Sequence, residues 1–294
     1  MIGGKSEEVL MQESSHQKPT PKSSSNLALP AQPHQARKRF GQNFLKDAGI
    51  IQGIVAAIDP QSNDNLVEIG PGQGALTLPL LKRHGKLTAI ELDRDLIPIL
   101  QRACASIGPL ELIQADVLNV DFRALAQSQG GKLRVVGNLP YNISTPLMFH
   151  LISQVDAVAD MHFMLQKEVV DRMASPPGGR VYGRLSVMLQ AQCEITHLFD
   201  VAPTCFTPAP KVWSAIVRLT PLETQPDAKL LNALDKVVRA AFSARRKTLS
   251  NALKGTLELA QIHAAGVDPG ARAETLSQAQ FQALATEFLA LHGA

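Results

Sequence analysis

The sequence predicts an α/β protein, a doubly wound sheet followed by a small all-helical domain. Three observations predict it. Short apolar runs recur between about residues 65 and 219, separated by segments with helical apolar spacing. One of these runs, Leu66-Val67-Glu68-Ile69, opens into the glycine-rich turn Gly70-Pro71-Gly72-Gln73-Gly74. Beyond Pro221 and Pro226 the spacing is helical, without strands. Strands that alternate with helices imply a parallel sheet covered on both faces.

Residues 1–36 are rich in Ser, Gln, Pro and Lys, have no apolar period, and have the composition of a disordered tail. Ile50, Ile51, Ile54, Val55 and Ile58 then mark a helix over 48–58. Strands are expected over 65–70, 86–91, 111–114, 134–137, 161–166 and 213–219, with helices such as 93–103 and 146–153 between them. These elements make residues 37–221 a ligand-binding domain. Helices over 227–244, 247–260 and 277–291 make residues 222–294 a second, helical one.

A chain of 294 residues, 45% of them hydrophobic, can bury one large core and a smaller second one. Cys104, Cys193 and Cys205 are odd in number and form no CxxC pair, so neither a disulfide framework nor a metal centre is expected. No apolar run reaches the roughly 18–20 residues of a membrane span. Glu7, Glu8 and Glu13, with no apolar stretch beside them, argue against a secretory signal and point to the cytoplasm. The formal charge of +3 lies in residues 1–39, which hold six Lys/Arg and three Glu; the remainder is formally neutral. An acidic partner must therefore be held by local clusters, of which Arg37-Lys38-Arg39 and Arg245-Arg246-Lys247 are the clearest. For the second cluster, a solvated helix end is the alternative.

A strand that ends in Gly70 and Gly72 lets main chain pass close to a ligand. The next strand ends at Glu91, 21 residues after Gly70, where a carboxylate can accept both hydroxyls of a ribose. Asp116, followed by Val117, ends the third strand and is placed to accept from an adenine amine. A P-loop would need GxxxxGK[ST], and a dinucleotide site prefers GxGxxG; this chain has neither. S-adenosylmethionine is the nucleotide reading that survives, in a Rossmann-like methyltransferase fold. Gln42-Asn43-Phe44-Leu45 could lid the methionine end of that cofactor, or simply lead into a helix capped by Asp47.

Val135-Val136-Gly137 is a further strand, and it ends in Asn138-Leu139-Pro140-Tyr141. An exocyclic adenine amine is a poor nucleophile because its lone pair is delocalised into the ring. The Asn138 side-chain oxygen and the Leu139 carbonyl would accept its hydrogens as the nitrogen becomes tetrahedral, with Pro140 fixing the turn. Tyr141 offers a flat face to a base taken out of its stack. Phe206, in Cys205-Phe206-Thr207-Pro208-Ala209-Pro210-Lys211, is either a second stacking face opposite Tyr141 or a core anchor.

With these motifs in view, the chain resembles the ribosomal RNA adenine dimethyltransferase family, in particular its bacterial small-subunit (16S) members. The resemblance begins at about residue 36 with Arg37-Lys38-Arg39-Phe40-Gly41-Gln42-Asn43-Phe44-Leu45. It continues through the glycine loop, Glu91 and the 137–146 segment. Met164-Leu165-Gln166-Lys167-Glu168, Tyr182-Gly183-Arg184-Leu185-Ser186-Val187, the Phe206 loop and Arg245-Arg246-Lys247 complete it. Trp213 stands where the family pattern favours a small or acidic residue. The resemblance implies cofactor contacts at Asn43, Leu45, Gly70, Glu91, Asp116 and Asn138. It also implies dimethylation of two adjacent adenines in a 3′-terminal hairpin of 16S rRNA, within immature small subunits. A monomer is expected. Arg184 and Lys211 join the basic clusters as candidate RNA contacts. A ribosome-biogenesis binding factor and a DNA or small-molecule amine methyltransferase are the competing readings.

Overall fold

The computed structural model describes residues 43–244 and 246–292. The expected tail, together with Arg37, Lys38, Arg39, Gln42 and Arg245, lies outside the described residues.

The first described elements are a two-residue strand, β1 (Phe44–Leu45), and α1 (Ala48–Ile58). Helix α1 starts where the Asp47 carboxylate accepts from the Ile50 amide (2.9 Å), and it buries Ile54, Val55 and Ile58. Strand and helix then alternate: β2 (Asn65–Ile69), α2 (Thr77–His84), β3 (Leu87–Glu91), α3 (Ile97–Cys104), β4 (Leu110–Gln114), α4 (Phe122–Ser128), β5 (Leu133–Asn138), α5 (Ser144–Ile152) and β6 (Val158–Gln166). Helices α6 (Lys167–Ala174) and α7 (Arg184–Gln190) lead to β7 (Cys193–Val201), the short β8 (Phe206–Thr207) and β9 (Ser214–Pro221).

Seven strands form one sheet in the order β4-β3-β2-β5-β6-β9-β7. The expected parallel arrangement holds from β4 across to β6; β9 then runs against both β6 and β7. Each central strand is apolar on both faces. Val67, Ile69 and Val135 enter one core, while Leu66 and Val136 enter the other, beneath α1 and α2. The sequence reading places no strand at β7. It is an edge strand, half-exposed over most of its length and bulged between His197 and Phe199, so it lacks the clean apolar run of a central strand. Among the described residues, strands β1 and β8 pair only with each other, Phe44 opposite Thr207 and Leu45 opposite Phe206.

From β2 the chain steps outward through β3 to β4, then returns to the other side of β2 for β5 and β6. The reversal leaves a crevice at the carboxyl ends of β2 and β5, where open α/β sheets hold their ligands. Gly137 allows these two strands to approach there: a Cβ on it would lie 2.5 Å from the Ile69 carbonyl oxygen.

The last elements are α8 (Ala228–Ala241), α9 (Leu249–Ala252), α10 (Leu259–Ala264) and α11 (Gln278–His292). The helix expected over 247–260 is corrected to the four-residue α9 and the start of α10. A left-handed turn at Gly255 (φ 80°) separates them, and the Gln261 side chain caps the second at the Glu258 amide (3.1 Å). Leu234, Val237 and Val238 of α8 and Phe281 and Leu284 of α11 share one continuous apolar core with Val187 and Leu189 of α7 and Val217 and Leu219 of β9.

Candidate active site

A cavity of about 630 Å³ opens at the carboxyl ends of β2, β3, β4 and β5. Its floor is the glycine loop. Gly70 (φ 65°) donates to the Ile90 carbonyl (2.9 Å), and Gly72 (φ 57°) donates to Glu91 Oε2 (3.2 Å). Both lie in the left-handed region, and a Cβ on Gly72 would press to 3.3 Å from the Phe44 ring. The other carboxylate oxygen of Glu91 accepts from the Asp93 amide (2.8 Å). Glu91 is therefore clamped at the end of β3 by two main-chain donors. Burial raises its pKa, and the Asp93 and Gly72 amides oppose that rise. Asp116 accepts from the Leu118 amide through one oxygen (3.0 Å), a cap that fixes an exposed carboxylate on the cavity wall with Val117 beside it.

Asn138 ends β5, and its Nδ2 donates to the Asn43 carbonyl (3.2 Å). With the amide so oriented, Oδ1 is an acceptor with no protein partner among the described residues, and it belongs to a cavity-lining residue. Leu139 is 1% exposed and its side chain is in the apolar core, so it meets the cavity through its main chain. Pro140 turns the chain, accepting at its carbonyl from the Ile143 amide (3.2 Å) and the Ser144 hydroxyl (3.1 Å). The half-buried ring of Tyr141 is held by a 2.8 Å hydrogen bond between its hydroxyl and that of the buried Ser214. Asn43 and Leu45 complete the wall. The structure thus brings Asn43, Leu45, Gly70, Gly72, Glu91, Asp116, Val117, Asn138, Leu139, Pro140 and Tyr141 to one cavity.

Two expectations are corrected. Phe206 is 2% exposed, packs with Leu45, Val201 and Ile216, and is not on the cavity wall. It anchors β8 against β1 and has no free face opposite Tyr141. Arg184 is committed within the protein: Nε and Nη2 both reach Asp235 Oδ1 (3.0 and 2.8 Å), and its guanidinium lies 4.2 Å from the centroid of the Phe149 ring. It joins α7 to α8 rather than presenting itself to a phosphate. Lys211, Arg246 and Lys247 are exposed. Sequence spacing gave no sign that Arg272, also exposed, pairs through its main chain with Thr248 and so stands beside the Arg246-Lys247 pair.

Glu68 has the clearest site role that the sequence reading missed. It lines the cavity from β2, is 2% exposed, and its Oε2 has no hydrogen-bond partner among the described residues. Burial pushes its pKa up to about 8, the Thr77 hydroxyl opposes the shift, and the charge of Glu91 adds to it. The signal was a lone carboxylate inside an apolar strand run. Because its folded pKa lies above the unfolded value of 4.5, Glu68 contributes stability that is complete below pH 4.5 and is lost as pH rises to about 8. We expect the stability difference between wild type and Glu68→Gln, measured by urea unfolding of the ligand-free protein, to shift against wild type by up to about 1.4 kcal/mol per pH unit across that window. Parallel pH profiles would mean that Glu68 is ionised throughout.

The arrangement fits a nucleoside-bearing cation. It offers a carboxylate at the position for a ribose, a capped carboxylate at the next strand end, an orphaned buried carboxyl oxygen beneath, and a glycine floor that a Cβ would narrow. In comparisons with known proteins, residues 33–289 match the ribosomal RNA adenine dimethylase family. The chain is 56% identical over 254 residues to the ribosomal RNA small subunit methyltransferase A of Methylococcus capsulatus, covering 86% of this chain and 98% of that one. It is 58% identical over 258 residues to the protein of the same description from Xanthomonas axonopodis pv. citri, covering 87% and 97%. Among solved structures it is similar to a dimethyladenosine transferase from Plasmodium falciparum, with a TM-score of 0.68 and 28% identity over 82% of this chain and 95% of that one. The 23S rRNA methyltransferase ErmE shares the fold, with a TM-score of 0.66 and 23% identity over 84% of this chain and 99% of the other.

Proposed function

The chain belongs to the ribosomal RNA adenine dimethylase family, and from that premise we propose that it dimethylates two adjacent adenines in the 3′-terminal hairpin of 16S rRNA. It is an S-adenosylmethionine-dependent rRNA adenine dimethyltransferase of Rossmann-like fold. We place its action on immature small subunits in the cytoplasm, as a monomer. Among the described residues no helix is long and apolar enough to cross a membrane.

One observation carries the chemical reading: Asn138, whose Oδ1 has no partner among the described residues, and Tyr141, whose ring is fixed through its hydroxyl, line the cavity that Glu91 also lines. S-adenosylmethionine, when bound, supplies an electrophilic methyl group on a positively charged sulfur. The chain's own residues supply position and charge. Glu91 and Asp116 would hold the nucleoside, and Asn43 and Leu45 would cover the other end of the cavity. Tyr141 stacks on the extruded adenine and fixes its plane. In the first transfer Asn138 Oδ1 and the Leu139 carbonyl accept the two amine hydrogens as the nitrogen becomes tetrahedral, and in the second, one of them accepts the single hydrogen left, localising the lone pair that forms the new bond. No strong base is required, because the attacking nitrogen becomes cationic and its surplus proton is acidic enough for water to take.

Methylation of small subunits that lack these modifications, using isotopically labelled cofactor, tests the proposal. Mass spectrometry of nuclease fragments should find label only in the 3′-terminal fragment of 16S rRNA, on two neighbouring adenines with two methyl groups each. Label elsewhere in 16S rRNA, or none in that fragment, would overturn it.

Two expectations concern the separate binding surfaces. Glu91→Ala should weaken S-adenosylmethionine binding by about 1–3 kcal/mol, the scale for hydrogen bonds to a charged acceptor. Calorimetry on the folded variant checks this, and unchanged affinity would remove Glu91 from the nucleoside site. Joint replacement of Arg246, Lys247 and Arg272 by Gln should weaken binding to small-subunit precursors and flatten its dependence on salt. The slope should fall by about 0.7–0.9 for each phosphate that the variant no longer neutralises. Cofactor affinity should stay the same, since none of the three lines the cavity.

A further inference from the structure

Strand β9 begins at Ser214, the wholly buried residue that holds the Tyr141 hydroxyl at 2.8 Å. The two residues before it turn the other way: Val212 is 44% exposed and Trp213 is 53% exposed. Isolated exposed apolar residues are ordinary on a protein surface. This pair is unusual in how firmly it is held. Pro208 and Pro210 stiffen the approach, and the Trp213 carbonyl accepts from the Lys167 amide (2.9 Å). Ser214, the next residue, is locked to Tyr141. Trp213 is therefore one residue, about 3.8 Å of main chain, from the serine that positions the ring meeting the target base.

Of the charged groups on the neighbouring elements, Lys167 is engaged with Asp171 and Asp200 (3.3 and 3.2 Å), His197 also reaches Asp200 (2.8 Å), and Glu168 is exposed. Lys211, on the same loop as Trp213, is exposed and makes no ion pair among the described residues. A flat aromatic face, a neighbouring free cation and continuity with a base-binding ring are the combination that single-stranded RNA meets on its readers.

We propose that Trp213 stacks on a nucleotide flanking the target adenine, so that the RNA strand leaves the cavity across Tyr141 and Trp213 with a phosphate on Lys211. This rests on the rRNA reading above and adds a specificity contact to it. One base is drawn into the cavity and its neighbour is captured outside, which sets which adenine of a loop is presented.

The chain has one tryptophan, so its emission reports this position directly. The probe is a synthetic RNA hairpin carrying two adjacent loop adenines, titrated into the full-length protein. We expect the emission to be quenched on binding, and quenching to disappear when the flanking nucleotide is made abasic. Trp213→Ala should weaken hairpin binding about 5- to 150-fold, the range for one base–aromatic stack, and raise KM for RNA with little change in kcat. Trp213→Phe should restore most of the affinity. Cofactor affinity and melting temperature should be unchanged in both variants. Unaltered emission and affinity, in a protein whose Tyr141→Ala variant does lose RNA binding, would overturn the Trp213 contact and leave the rRNA reading standing. If neither variant weakened binding, both readings would be overturned. Quenching by intact subunits but not by RNA would assign the indole to a ribosomal protein and also overturn the proposal.

Discussion

Asn138→Ala lowers the rate of methyl transfer by about 10²–10³-fold, the cost of removing one preorganised partner of a developing charge. The argument rests on where the amide is fixed. Its Nδ2 is committed to the Asn43 carbonyl, so the oxygen cannot rotate away, and it needs no reorganisation when the amine hydrogens turn toward it. The loss should fall on kcat rather than on cofactor binding. Asn138 also borders the cofactor space, so S-adenosylmethionine affinity is expected to fall by no more than about tenfold, one hydrogen bond's worth. Single-turnover kinetics with saturating RNA measures the step itself. A variant that turns over within a few-fold of wild type would move the hydrogen acceptors elsewhere. In a deletion strain the same variant separates catalysis from a role in subunit assembly: restored growth without methylated adenines would favour the binding-factor reading.

Arg134→Ala has the largest expected effect on stability and little on chemistry. Arg134 lies near the start of β5, at the end of the sheet away from the cavity. Its guanidinium meets Asp160 through Nε (3.0 and 3.1 Å) and Nη2 (2.8 Å), and Asp64 through Nη1 (2.6 Å). It also donates to the carbonyls of Ile58 (2.6 Å) and Asp59 (3.2 Å) at the end of α1. All three charged side chains are at most 20% exposed. Burial would raise the Asp160 pKa, but His162 and Arg134 outweigh it and hold the carboxyl below its usual range. Removing the cation strands two half-desolvated carboxylates, which costs about 3–5 kcal/mol. Chemical denaturation should show that loss, while kcat well below the melting temperature stays near wild type. If Asp64→Ala and Asp160→Ala are added, most of the stability should return, because the cost lies in the unpaired charges rather than in the missing bridge.

The parts of the fold that could be read in the sequence are those governed by local pattern. The β2, β3 and β5 segments are apolar on both faces and end in Gly or a carboxylate, and α1 carries its own cap. The cofactor wall and the Asn138–Tyr141 wall were legible for the same reason, since each lies within a few residues of a strand end. What stayed hidden depends on partners distant in the chain. Arg184 reads as a free cation until Asp235 of α8 is found beside it. Phe206 reads as a stacking ring until Leu45 is seen to cover it. Glu68 is visible as a misplaced charge, but its surroundings come from α2 and β3, which local pattern does not place against it. The strand β7 was missed because an edge strand has no need to be apolar on both faces.

The pairing of β1 with β8 bears on the order in which the protein becomes active during synthesis. The glycine loop, Glu91 and Asn138 all precede β8 in the chain, yet Asn43 and Leu45 are seated only when Phe206 and Thr207 arrive to pair with β1. A nascent chain that has emerged as far as β7 has most of the nucleoside pocket and none of its clasp. Since domains form as the chain leaves the ribosome, the amide of Asn138 has no Asn43 carbonyl held in place to orient it until nearly the whole sheet exists. Until β8 emerges, the enzyme is thereby kept incompetent for chemistry while it is itself attached to a translating ribosome, whose rRNA is the class of molecule it modifies.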